Sequence, residues 1–322
     1  EIRNFMLSND LSESNAENFF EGVSYRMVSL VIPSLTMIVL LFSKQIKRTF
    51  SLIPKLSFRR ASQANDVIYS PEDVPIPKGK IHRTISEEPE DKFIIVGDVH
   101  GCLDEFKNLL DKCSYKKEKD KVILVGDLVN KGPKSLECLR FAVSEGFLGV
   151  RGNHDDYALA AFKRVGKFKN ITKLSPKIDW VDSLTKEEVG WLEDLPYTLS
   201  LPSKYESIVV HAGLVPGLAL KDHDLNDLYK MRSLYKKSGS NKWLASDLDP
   251  SNEKNRTGWA KIWNGPFHIY FGHDAKQGLQ LEKFATGLDT GCLYGRKLTA
   301  CLLPGNEIVS VDALKTYVEP GL

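Results

Sequence analysis

Five apolar runs in this chain stop on the same few residue types, and that repetition constrains the fold more than any bulk property. Phe93 to Val96 runs into Gly97-Asp98-Val99-His100-Gly101, and Lys121-Val122-Ile123-Leu124-Val125 into Gly126-Asp127-Leu128-Val129-Asn130-Lys131-Gly132. A third run, 147–150, precedes Gly152-Asn153-His154-Asp155; a fourth, 207–213, contains His211, and a fifth ends on Gly272-His273-Asp274. Helical periods fill 102–113 and 133–145 and resume at Asp155, an alternation that builds a parallel α/β sheet. Such sheets place ligands at the carboxyl ends of their strands, where these Asp, Asn and His residues fall. Asp98 and His100 are two apart and would leave a strand on one side.

Ligand type then restricts the chemistry. Four of the seven histidines sit at these strand ends. Carboxylate, imidazole and amide oxygen without thiolate suit Mn, Fe or Zn rather than copper(I) or an iron–sulfur cluster. Asp98, His100, Asp127, Asn153, His211 and His273 make six protein ligands, enough for two divalent ions if one carboxylate bridges. Glycines at each strand-to-helix turn allow positive φ, and the helix N-terminus beyond presents free N–H groups to an anion such as phosphate.

Further strand-like runs at 207–213, 268–273, 283–291, 297–304 and 307–311 predict a second, more antiparallel sheet packed on the first. Residues 167–205 and 236–262 are polar, Trp-containing insertions expected to cap the site. A chain of 322 residues, 42% apolar and 27% charged, is globular, and a net charge of +2 gives no nucleic-acid signal. Five scattered cysteines without a C-x-x-C predict reduced thiols, with neither a disulfide framework nor a zinc knuckle. No feature indicates an oligomer.

The first 92 residues differ in character. Residues 1–26 form a tail, and Met27 to Ser43 is an uncharged run near the lower limit for crossing a bilayer, read as a membrane anchor ahead of a targeting segment or a buried helix. Six basic residues and no acid lie between Lys44 and Arg60, against five acids and two bases in 1–26, which keeps the catalytic domain cytosolic if 27–43 spans. Initiation at Met27 would instead give a leader resembling a mitochondrial presequence, so mitochondrial or lumenal targeting is the alternative. Residues 44–92, basic and then Pro-, Ser- and Glu-rich, read as a linker. Within it, Arg59-Arg60-Ala61-Ser62 fits a kinase motif but also ordinary linker composition. The catalytic domain is placed at 93–312, followed by a tail at 313–322.

The ordered set G-D-x-H-G, G-D-x-V-x-x-G, G-N-H-D, H-A-G and G-H resembles the calcineurin-like metallophosphatases of the phosphoprotein phosphatase superfamily. GDLVNKGP, HAGLVPG, YFGHDA and GLDTGCLYGRKLTA are most similar to the ApaH-like, symmetrical diadenosine tetraphosphatase branch. The resemblance implies a four-layer αββα sandwich of two mixed β-sheets flanked by helices. It also implies Asp98, His100 and His273 on one metal, Asn153 and His211 on the other, and Asp127 between them. A hydroxide bridging the ions would attack phosphorus. Arg151, Lys131 and Arg232 are the candidates to meet phosphoryl charge, and His154 the candidate general acid.

One departure bears on the substrate. Protein phosphatases of the superfamily carry Asp-Arg where this chain has Asn130-Lys131, and that Asp orients the catalytic His. His154 should therefore be a weak acid, which suits phosphoanhydrides. The expected activity is cleavage of a diadenosine polyphosphate, of inorganic polyphosphate or of a capped RNA end. Alternatives are a Ser/Thr or Tyr phosphoprotein phosphatase and, from another class, an inactive membrane-tethered binding module.

Overall fold

The computed structural model describes residues 67–167, 178–252 and 255–319. The reading of 27–43 as an anchor, the basic stretch 44–60 and the Arg59–Ser62 motif lie outside the described residues.

Alternation in each strand decides the layering. In β4 (Phe93–Val96), Phe93 and Ile95 join one core cluster while Ile94 and Val96 join another. The same split divides Val122 and Leu124 from Ile123 in β5 (Lys121–Leu124). The cluster holding Phe93, Ile95 and Ile123 also holds Val209 of β8 (Ser207–Val210) and Tyr270 of β12 (His268–Phe271). It is the seam between two sheets. Ile208, Val210, Ile269 and Phe271 face the opposite way, onto α5 (Leu225–Lys230) and α6 (Trp259–Ile262). On the far side of the first sheet, α1 (Leu103–Lys112), α2 (Ser135–Glu145), α3 (Asn153–Lys167) and α4 (Lys186–Asp194) cover Ile94, Val96 and Val122. Strands apolar on both faces thus have a helix layer on one side and a second sheet on the other, an αββα sandwich. Each large aliphatic side chain so buried contributes roughly 1.5–3 kcal/mol.

The first sheet runs β16 (Glu307–Asp312), β15 (Lys297–Leu303), β4, β5, β6 (Leu148–Gly149). The second runs β13 (Gln280–Glu282), β14 (Ala285–Gly287), β12, β8, β7 (Thr198–Ser200), β3 (His82–Thr84). The expectation that 297–304 and 307–311 finish the second sheet is corrected. Both join the first, with β15 antiparallel to β4 and Ala300 opposite Val96. Val309 and Ala300 then pack against the helix layer and Cys301 against the seam. Strand propensity marks such a segment but is silent on which sheet edge receives it.

The folded unit also begins earlier than residue 93. Strands β1 (Val67–Tyr69), β2 (Pro75–Pro77) and β3 lie within the stretch read as linker, and Val74 and Ile76 are buried. Their apolar positions are too few to give a period. Likewise the tail after 312 packs: Tyr317 and Leu314 both donate to buried Glu105. The 167–205 insertion supplies α4, whose Thr185–Glu188 capping box is reciprocal, and β7. The 236–262 insertion supplies β10 (Trp243–Ser246), β11 (Thr257–Gly258) and α6. β10 and β11 flank β9 (Ser233–Lys236) in a small sheet of their own.

Candidate active site

All five motifs sit past the carboxyl ends of strands that pair in parallel: β4, β5 and β6 in one sheet, β8 and β12 in the other. The loops are tied to one another. Val99 and His100 N–H donate to Asp127 O at 3.2 and 2.9 Å, and Gly272 N–H to His211 O at 2.8 Å. Close approach explains two of the glycines. A Cβ on Gly152 would lie 2.1 Å from Asp127 Oδ1, and one on Gly272 would lie 1.9 Å from Asp98 Oδ1. His100, Asp127 and His273 all have positive φ, of 47°, 50° and 69°. Non-glycine residues in that region carry strain of order 1–3 kcal/mol each, and such strain gathers at functional sites.

Asp98, His100 and Asp127 bring one donor atom each within 4.8 Å of one another, and Asp127, His211 and His273 do the same. Asp127 belongs to both sets. Its Oδ2 is 3.4 Å from His100 Nε2 and its Oδ1 is 3.4 Å from His211 Nε2, one oxygen toward each group. Asn153 Oδ1 lies 3.3 Å from His211 Nε2. The placement of His273 beside Asp98 and His100 is corrected. Its backbone N–H reaches both Asp98 oxygens at 3.2 Å, whereas its ring groups with Asp127 and His211.

The donor set fits two divalent cations. His100 Nδ1 faces Val129 O at 3.3 Å, His211 Nδ1 faces Val125 O at 2.8 Å and His273 Nε2 faces Lys230 O at 3.0 Å. Donation to those carbonyls fixes each tautomer and leaves the opposite nitrogen as a lone pair in the cluster, the arrangement usual for metal-ligating histidines. Electrostatics agree. Burial opposes charge on Asp127, but His211, His154 and His100 outweigh it and hold the carboxylate well below its ordinary range. Burial, then Asp289 and Asp127, push Asp98 well above its ordinary value. Burial holds His100 down at about 3. Burial holds the His154 and His273 imidazoles down as well, whereas Asp127 raises His211 against its burial. The buried carboxylates of Asp98, Asp127 and Asp289 thus face at most one favoured imidazolium, a deficit of positive charge that cations would fill.

Arg151 is a correction. It is 1% exposed and turned away from the cluster, with Nη1 3.2 Å from Asp156 Oδ1 and Nη2 donating to Leu192 O and Glu193 O at 3.1 and 3.0 Å. Its guanidinium also stacks 5.6 Å from the Tyr197 ring centre. Position next to the G-N-H motif suggested phosphate; the chain just past β6 turns the side chain into the α4 layer instead. Lys131 and Arg232 do line the cleft. Arg232 is held by Asp247 O at 3.1 Å and lies 3.9 Å from Asp274, while Lys131 has no ion pair among the described residues.

His154 lies beside His100, ring centres 5.0 Å apart, and burial holds it down at about 4. The expected relation to Asn130 takes another form. Asn130 Nδ2 donates to the His154 backbone carbonyl at 2.6 Å, and Asn130 Oδ1 accepts from the Trp180 indole at 3.2 Å. The amide fixes a loop to an insertion and does not touch the imidazole. Two acids escaped the sequence reading although both lie in quoted motifs. Asp155 accepts from the N–H groups of Asp127, Leu128 and Gly152 at 2.8, 3.0 and 3.0 Å and so shapes the Asp127 loop. Asp289 lines the cleft and is pushed up to about 6 by burial, with Asp127 adding.

Residues 91–295 match the calcineurin-like phosphoesterase family, and the chain belongs to it: it is a metal-dependent hydrolase. Within the family it is similar to the symmetrical bis(5'-nucleosyl)-tetraphosphatases. The protein of that name from Aromatoleum aromaticum is 31% identical over 268 residues, covering 68% of this chain and 96% of the relative. The Aliivibrio fischeri protein is 42% identical over 123 residues, a match that spans 44% of that relative. A crystal structure of a candidate diadenosine tetraphosphatase superposes with a TM-score of 0.63 at 32% identity, covering 72% of this chain and 97% of the other.

Proposed function

We propose that this chain hydrolyses a phosphoanhydride bond within a dinucleoside polyphosphate, with the reacting phosphoryl group over Asp127. The observation that carries the reading is that two cavities meet at Lys131, Asn153 and His154, on the edge of the donor cluster. A cleft of about 780 Å³ is lined by His100, Asp127 and His273 together with Arg232, Tyr294 and Arg296. A more apolar cavity of about 320 Å³, lined by Tyr157, Ile178, Glu72 and Lys230, shares Lys131, Asn153 and His154 with it. A substrate reacting at the junction has room for a nucleotide on either side, whereas a phosphomonoester needs space on one side only. The names of the relatives support the same substrate class.

In this reading Asp98 and His100 hold one cation, Asn153, His211 and His273 the other, and Asp127 both; Mn, Zn or Fe suits the set. Bound ions supply a water of lowered pKa and positive charge for the phosphoryl oxygens. Lys131, without an ion pair among the described residues and common to both cavities, meets the phosphate chain, and Arg232 borders the larger arm. His154 borders both cavities, and among the described residues no carboxylate hydrogen-bonds its ring. A departing nucleoside phosphate needs little protonation, so a neutral imidazole suffices. A panel of diadenosine tetraphosphate, polyphosphate, capped RNA and phosphopeptide, assayed with Mn, Zn and Mg, tests this. The expected result is turnover of the dinucleotide to ADP alone, at least about tenfold faster than phosphopeptide. Preference for phosphopeptide overturns it, whereas AMP plus ATP as products would keep the substrate and overturn only a symmetric cut.

The proposed setting is a membrane-tethered enzyme with a cytosolic catalytic domain, supported by the uncharged run 27–43 and the basic stretch after it. Carbonate extraction with protease protection of tagged termini tests it; a catalytic domain protected inside a mitochondrion or lumen refutes it.

A further inference from the structure

Away from the cleft, on the helix side of the first sheet, Cys102, Glu105 and Cys292 each bring a ligand atom within 4.8 Å of the other two. Cys102 precedes α1, Glu105 lies in its first turn, and Cys292 lies in the loop after β14. Cys102 and Cys292 are 1% exposed and Glu105 is 0% exposed. One oxygen of Glu105 is accounted for: Oε1 accepts the Leu314 N–H at 2.9 Å and the Tyr317 hydroxyl at 2.8 Å. Its other oxygen, Oε2, is buried without a hydrogen-bond partner among the described residues. A fully buried carboxylate oxygen facing no donor is costly, and in a native protein such a group points to something that satisfies it.

We propose that Cys102, Glu105 and Cys292 form a structural site for a thiophilic divalent cation such as zinc, separate from the hydrolytic pair. Two thiolates and a carboxylate in a closed, dry setting match the ligand types and burial of structural zinc sites. Thiolate ligands select zinc over manganese or magnesium, whereas the hydrolytic cluster offers only oxygen and nitrogen. Binding replaces the two thiol protons, which leave to solvent, and gives Oε2 its partner. Because the site is buried, the ion enters as the chain folds.

The consequence is mechanical. Cys102 lies two residues from His100, Cys292 lies three from Asp289, and Glu105 clamps the C-terminal segment through Leu314 and Tyr317. One ion would staple together two loops of the hydrolytic site and the end of the chain.

The test uses the full chain produced in zinc-supplemented medium, and again in cobalt-supplemented medium. Metal analysis should find one equivalent that survives a chelator able to strip the hydrolytic ions. The cobalt form should show a thiolate-to-cobalt charge-transfer band, which the hydrolytic donor set cannot give because it holds no sulfur. Cys292→Ser should lose both the resistant ion and the band. A folded wild-type chain with no resistant ion and no thiolate band overturns the site in favour of a hydrogen-bonded dithiol, and this reading stands even if Cys292→Ser fails to fold. A band that persists in Cys292→Ser overturns the assignment to this pair. Absence of exchangeable ions with the band present would count against the dinuclear reading alone.

Discussion

Replacing Arg151 separates two roles that its position beside the G-N-H motif confuses. Its guanidinium pairs with Asp156, which is 0% exposed, and donates to the carbonyls of Leu192 and Glu193 at the end of α4. Arg151→Met keeps much of the volume but leaves the Asp156 carboxylate without its cation and two carbonyls without donors. Breaking a buried pair from one side costs about 3–5 kcal/mol. For a domain of this size each kcal/mol shifts Tm by about 2–4 °C, so a fall of roughly 6–20 °C is expected. Adding Asp156→Leu should restore part of it, because removing both charges removes the stranded one. Thermal melting gives the first quantity and KM, measured well below the variant's Tm, gives the second. The expected KM is within about twofold of wild type, since no phosphate contact is lost. A Tm unchanged within about 2 °C together with a KM raised tenfold or more would refute the buried-pair argument and return Arg151 to the substrate.

Three further perturbations follow from the same contacts. Asn130→Asp with Lys131→Arg, the pair found in protein phosphatases, should lower activity on every substrate. A carboxylate would face the His154 carbonyl that Asn130 Nδ2 now donates to, and a gain in phosphomonoester hydrolysis would show the loop rearranging to place the acid on the imidazole. Gly272→Ala should reduce metal content and turnover together, because its Cβ would lie 1.9 Å from Asp98 Oδ1; wild-type metal content would mean the loop yields without displacing Asp98. Glu188 has its carboxylate held below the ordinary 4.5 although burial opposes this, through the Thr185 N–H and Arg140. Its stabilisation is therefore full above 4.5 and lost as pH falls through the lowered value. Glu188→Gln should lower Tm at neutral pH by an amount that shrinks to nothing in acid, and a pH-independent gap would leave the charge without a role.

That these donor residues come together was legible because each motif is local. An apolar strand, a glycine where the chain turns sharply and a donor directly after it are adjacent in sequence, and the parallel pairing that short α/β repeats enforce brings such ends together. Asp98, His100, Asp127, Asn153 and His211 converge for that reason. Contacts between remote segments were not legible. Which side chains the His273 ring groups with depends on its direction, set by the Lys230 carbonyl 43 residues away. Asn130 meets Trp180 across 50 residues, Arg151 meets the end of α4 across about 40, and Ala300 lies opposite Val96. Strand and helix signals report what a residue does to its own backbone; the partner that captures a buried polar side chain is decided only when distant layers pack and its hydrogen bonds must be satisfied within what is nearby.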